Sequence, residues 1–228
     1  MKPLLAILLL GSSLLATDLK YKLGEEIYQA TCTSCHGDDG KAQTDVRFIV
    51  SPRDLSKTIL TQEQSYQIIK KGTHYWGSAA DIMPSFESVL NEKELRSIAY
   101  YISTKFNPDI EQKIEKLYAQ SDVIPESKKH KMPKRGKKIY KRNCSWCHGV
   151  TAQGDGAATR NPEMSIFPYD LSKTLLSKEQ MFLYVKDGGK HWGTHQEDMP
   201  GWAKKYDDFT IKSVVKYIQT NFRNNDVK

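Results

Sequence analysis

Apolar residues recur three and four positions apart in several stretches of this chain, and no stretch has the strict alternation of a half-buried strand. Leu95, Ile98, Ala99 and Ile102 form one such stripe. Asn91 precedes it, with Glu94 three residues on as in a capping box, so a helix is predicted to start there. Ile211, Val214, Val215 and Ile218 form a second stripe behind Asp207. Thr61 and Ser177 are N-cap candidates for two middle helices, carrying Tyr66 and Ile69 in one and Phe182 and Val185 in the other. Gly72 and Gly188 stand where those helices would stop. Shorter helices are predicted over residues 23–31 and 135–143, and Pro108 closes the first set. Beyond it, Ile110, Ile114 and Leu117 would give one apolar face to a further helix. The pattern predicts an all-α fold.

The chain start has a different character. Lys2, an apolar stretch at residues 4–10, and the more polar Gly11, Ser12 and Ser13 read as an export signal of residues 1–16. Cleavage after Ala16 fits, although Leu14 is larger than the residue expected there. The stretch is too short for a stable span, and retention as an uncleaved anchor is the alternative.

The stripes come in pairs because the chain is written twice. Gly24 and Tyr28, then Cys32, Cys35, His36 and Gly37, match Gly136 and Tyr140, then Cys144, Cys147, His148 and Gly149, at an offset of 112. From Pro52 and Pro168 onward the offset is 116, so the second copy has four more residues, assigned to the loop at Gln153 and Gly156. Trp76 then matches Trp192, and Met83-Pro84 matches Met199-Pro200. Two small domains are expected, residues 17–106 and 135–228, with a partly helical linker over 107–134.

Composition narrows the class. Hydrophobic residues are 39% and charged residues 27%, which excludes both a multi-span membrane protein and a disordered chain. The net charge of +7 is uneven, −1 over residues 17–106 and +5 over 136–228. That surplus lacks the concentrated basic face with interleaved aromatics of a nucleic-acid binder. Lys186, Lys190, Lys204 and Lys205 are instead expected to help the second copy dock an acidic partner.

The chemistry rests on the two CxxCH motifs. A redox dithiol would follow a strand in a βαβ unit, and that pattern is missing from the sequence. A four-thiolate zinc site would leave both following histidines unexplained. Covalent haem accounts for all six residues: Cys32 and Cys35, or Cys144 and Cys147, add to two porphyrin vinyl groups, and His36 or His148 meets the iron. Met83 and Met199 occupy equivalent positions before proline, unlike Met164 and Met181, and are the candidate sixth ligands. A thioether raises the potential relative to a second histidine and fills the position that a substrate would need. His74, His191 and His195 have no histidine counterpart in the other copy and read as loop residues, and His130 as a solvated one. Trp76 and Trp192 are candidate indole donors to haem propionates, with a core aromatic as the other reading. Asp54 and Asp170 read as local caps.

On these residues, together with Tyr101 and Tyr217, the chain resembles the class I c-type cytochromes in a tandem dihaem arrangement. Each half is similar to the haem domains of cbb3-type terminal oxidases, and the layout to cytochrome c4. The resemblance implies two cytochrome c domains, each with covalent haem c, whose first and last helices cross near the glycine and aromatic positions. It implies an electron carrier in the periplasm with redox partners such as a terminal oxidase, reductase or dehydrogenase. It implies neither nucleic-acid binding nor a stable transmembrane span. The alternatives are a dihaem enzyme of the peroxidase or thiosulfate-oxidising type, and the cytochrome subunit of a dehydrogenase complex. The long linker departs from compact c4 proteins, so close packing of the two halves is not implied.

Overall fold

A computed structural model describes residues 3–44, 51–78, 83–161, 168–194 and 199–223, with side chains from Leu15 onward. Among them the regular structure is helical throughout. The first repeat contains α1 (Pro3–Ile27), α2 (Thr33–His36), α3 (Gln62–Tyr75) and α4 (Glu92–Phe106). Next come α5 (Ile110–Ala119) and α6 (Glu126–Lys129), and then the second repeat with α7 (Met132–Ile139), α8 (Ser145–His148), α9 (Lys178–Asp187) and α10 (Asp208–Asn221). α1 runs without a break through Ala16 and Thr17 into the first repeat. Among the described residues no helix is long and apolar enough to cross a membrane.

Local chemistry sets the helix ends. Thr61, Ser177 and Asn91 each accept from the amide three residues on, and Gln64, Gln180 and Glu94 return the bond to the cap amide. Asp207 caps α10 by accepting from the Thr210 amide. Gly188 ends α9, whereas Gly72, at φ +77°, kinks α3 and leaves a last turn beyond it.

The first and last helices of each repeat cross at a glycine. A β-carbon on Gly24 would lie 2.2 Å from the Ser97 carbonyl oxygen, and one on Gly136 would lie 2.1 Å from that of Ser213. Only glycine permits this approach, so the crossing of α1 with α4 and of α7 with α10 is written into single residues. Tyr28 and Tyr101 pack beside the first crossing, and Tyr140 and Tyr217 beside the second.

The joining segment is packed rather than loose. Ile110 and Ile114 of α5 are buried in the core cluster of the second repeat, and Tyr118 meets Phe182 edge-on. Ile59 of the first repeat is buried in that same cluster.

The two repeats also touch directly, and the contacts obey the 116-residue offset. The Gln64 and Gln180 amides donate to each other at 2.8 and 2.7 Å. Gln64 also donates to the Leu175 carbonyl, and Gln180 to that of Ile59. The Asp54 amide donates to Gly193 O at 2.8 Å, and its counterpart Asp170 donates to Gly77 O at 2.7 Å. These paired bonds describe a pseudo-twofold interface. The long connection left the packing of the halves open; it folds onto the second core and leaves the halves in contact.

Candidate haem sites

Each CxxCH motif is reached through a widened helical turn. α1 passes into a π-helical turn, Tyr28–Cys32, in which the Thr33 amide bonds back to Tyr28 O. α7 does the same through Tyr140–Cys144, with Ser145 bonding to Tyr140 O. The widened turn ends on the first cysteine, Cys32 or Cys144, and the second cysteine and the histidine follow on one short helix, α2 or α8. The buried Tyr28 donates through its hydroxyl to Gly37 O at 2.7 Å, and Tyr140 donates to Gly149 O at 2.8 Å. Each tyrosine therefore pins the residue that follows the histidine.

The histidines are oriented alike. His36 Nδ1 lies 3.1 Å from Arg53 O, and His148 Nδ1 lies 3.0 Å from Tyr169 O. A carbonyl can only accept, so Nδ1 carries the proton and Nε2 keeps its lone pair for a metal. Burial lowers both imidazole pKa values, which favours the neutral, ligating form. Burial, with the neighbouring thiol of the pair, pushes Cys32 and Cys144 up to about 12. No disulfide joins the four cysteines.

The methionines sit on anchored loops. Met83 O accepts from the Thr73 amide at 3.0 Å, and Met199 O from the Gly189 amide at 2.8 Å. The Phe86 and Trp202 amides extend the same anchor to Ile69 O and Val185 O. Both methionines are half-buried, and Met83 packs with Cys32 against the first core. Met181 lies in the second core as packing, while Met164 and His195 fall outside the described residues. His74, His130 and His191 are exposed.

The tryptophans, read either as propionate donors or as core aromatics, each give their indole proton to a backbone carbonyl. Trp76 Nε1 donates to Gln67 O at 3.0 Å, and Trp192 Nε1 donates to Leu183 O at 3.1 Å. An indole has one proton to give, and here it ties each loop to the preceding helix. Asp54 and Asp170 each accept from the amide and hydroxyl of the serine two residues on, closing a local turn.

Arg53 was not singled out by the sequence. Its guanidinium is buried between the repeats, where it donates to the Tyr184 hydroxyl and to Trp192 O. The available signal was an arginine in Pro52-Arg53-Asp54 where the other copy has Tyr169.

A haem c is compatible with these residues. Each site offers two thiols, an imidazole with a free Nε2 and an anchored thioether. Beside Cys144 a small recess is lined by Ile139, Val185, Trp202, Ile211 and Val214 together with Asn143, Tyr206 and Thr210. The thiol, imidazole and thioether sets, repeated on an all-helical frame, define a tandem c-type cytochrome. The family described as cytochrome c oxidase, cbb3-type, subunit III matches residues 20–102 and 131–218, and the chain belongs to it.

Similar proteins include a cbb3-type cytochrome c oxidase subunit CcoP of Azospirillum brasilense, 25% identical over 203 residues. That match covers 86% of this chain and 60% of the relative. A CcoP of Azospirillum sp. strain B510 is 34% identical over 84 residues, 37% of this chain and 27% of that protein. The chain thus spans well under two thirds of the length of these relatives. A chain of the reducing HAO-like protein complex of Kuenenia stuttgartiensis is similar over 88% of this chain and 96% of its own, at 20% identity and TM-score 0.46.

Proposed function

We propose that the chain is a periplasmic dihaem c-type cytochrome that passes electrons between redox partner proteins. Cys32 and Cys35 would hold one haem and Cys144 and Cys147 the other. His36 and Met83, and His148 and Met199, would be the axial pairs. Bound haem c supplies a one-electron couple. The protein's part is orientation: the Arg53 and Tyr169 carbonyls fix the imidazole tautomers, and the Met83 and Met199 loops, anchored through their backbone, would bring a thioether to each sixth position. The observation that carries the reading is the equivalence of the two sites: with a methionine ligand at each, neither would keep an open position for substrate.

A terminal oxidase is the partner class favoured by the relatives' names, and a reductase or dehydrogenase would meet the same surface. Lys190, Lys204 and Lys205 are exposed and Lys186 is paired with Asp208 at 3.1 Å; together these four lysines would form the face that docks an acidic partner. Trp146, 57% exposed within the second CxxCH motif, would lie at the contact.

Carbon monoxide binding to the dithionite-reduced holoprotein, normalised to haem per chain, tests the reading. Two haems with unshifted spectra are expected. Rapid binding at one haem would reveal an open site and favour the enzyme alternative.

A further inference from the structure

The contacts between the repeats do more than hold them together. The peptide group joining Arg53 to Asp54 faces both ways: its carbonyl accepts from His36 Nδ1, and its N–H donates across the interface to Gly193 O. The peptide joining Gly193 to Thr194 continues the line, since the Thr194 amide donates to Gly189 O at 3.1 Å. The Gly189 amide, one α-carbon away, donates to Met199 O. A connected backbone path therefore runs from the histidine of the first site to the methionine loop of the second.

The mirror path exists as well. His148 Nδ1 meets Tyr169 O, the Asp170 amide donates to Gly77 O, the Ser78 amide donates to Thr73 O at 3.0 Å, and the Thr73 amide donates to Met83 O. Every member is the 116-residue counterpart of one in the first path, except the histidine pair, which lies in the part of the repeat offset by 112.

We propose that these two paths couple the haem sites crosswise, so that the second domain tunes the histidine of the first haem and the first domain tunes that of the second. The proposal rests on His36 and His148 being the axial ligands. An amide whose N–H donates a hydrogen bond is more polarised, and its carbonyl becomes a stronger acceptor. A stronger acceptor at Nδ1–H makes the imidazole more electron-rich and favours ferric iron, which lowers the potential. Closing the interface thus acts on both haems at once. Side-chain contacts within one domain would act only on that domain's own haem.

Two glycines allow the crosswise pattern to be tested. Gly193 has φ +86°, and a β-carbon there would lie 2.3 Å from Asp54 O; Gly77 has φ +94°, and its β-carbon would lie 2.5 Å from Asp170 O. Holoprotein labelled with 15N-histidine, in the reduced diamagnetic state, reports each axial Nδ1–H separately, and Trp146 identifies the second site. In Gly193→Ala the His36 Nδ1–H should shift upfield and exchange faster, and the first haem's potential should rise, while the His148 Nδ1–H stays in place. Gly77→Ala should do the reverse. A change at the histidine of the substituted domain, or at neither, overturns the proposal.

If a glycine variant fails to retain two haems, Gln64→Glu with Gln180→Glu opens the interface instead. Glutamate preserves both capping boxes and sets two carboxylates against each other. Both Nδ1–H signals should then move, and unchanged signals would overturn the crosswise coupling. Absence of any Nδ1–H signal coupled to a haem in the unmodified protein would instead count against the ligand assignment itself.

Discussion

The two repeats share their helices, caps and motifs, yet they are supported differently. The second is covered by α5, whose Ile110 and Ile114 enter its core, and it also buries Ile59 from its neighbour. The first has no such cover. Its cluster of Tyr28, Leu55, Tyr66, Ile69 and the α4 residues packs instead with Tyr21 and Ile27 of α1. A small cytochrome domain has little core of its own. One copy compensates with the connecting helix, and the other with the long first helix and the interface. Duplication preserved the frame while the sources of stability diverged.

The largest expected effect breaks both frames alike. Gly24→Val and Gly136→Val each force a side chain into a carbonyl and should cost about 3 kcal/mol or more. Hydrogen exchange should then show α4 unprotected in the first variant and α10 in the second. Loss of protection in both helices from either change would mean that the domains do not unfold separately.

Ile114→Ala sharpens the comparison, because α5 belongs energetically to one side. A cost of roughly 2–4 kcal/mol is expected, read as lost exchange protection in α9 and α10 with α4 unaffected. Equal loss on both sides would place α5 in a shared core.

The interface itself is uneven at Arg53. Tyr184→Phe removes the oxygen that accepts from the buried guanidinium and should cost about 1–2 kcal/mol. Faster exchange of the Asp54 and Asp170 amides would report it. Unaltered exchange would mean that the Arg53–Tyr184 bond adds nothing to the hold between the halves.

The smallest effect separates the last helices by pH. Asn91 and Asp207 occupy equivalent N-caps, but only the aspartate titrates. Hydrogen bonds from Thr210 hold the Asp207 carboxyl below its ordinary range. A depressed folded-state pKa stabilises the fold above the unfolded value near 3.9, and that contribution is lost as pH falls through the folded value. The melting temperature of Asp207→Asn should therefore change less than that of the parent between about pH 5 and pH 2.5, by a small margin because the carboxyl is exposed. A parallel pH profile would show that the cap charge is unimportant.

Much of this was legible in the sequence, for identifiable reasons. Caps and glycine crossings act within a few residues or through one missing side chain, so Thr61, Asn91, Ser177, Gly24 and Gly136 carried direct marks. The stripe of Ile110 and Ile114 was visible as well, but which core it joins depends on three-dimensional packing. The two readings of the tryptophans could not be separated in the sequence, because a helix carbonyl nine residues earlier competes for the same proton. The interface was invisible for a deeper reason. Its central bonds join backbone groups, which every residue carries, and of the side chains that join the halves Gln64 and Gln180 were already explained as members of capping boxes.

That glutamine pair has a further consequence. Each amide donates to and accepts from its own counterpart, so the contact needs only one kind of surface. Self-complementarity of this sort is the signature of an isologous dimer. Joining the halves in one chain replaces association between separate molecules with an effective concentration set by the length and packing of the connection. The pairing of the two halves thereby becomes independent of how dilute the protein is.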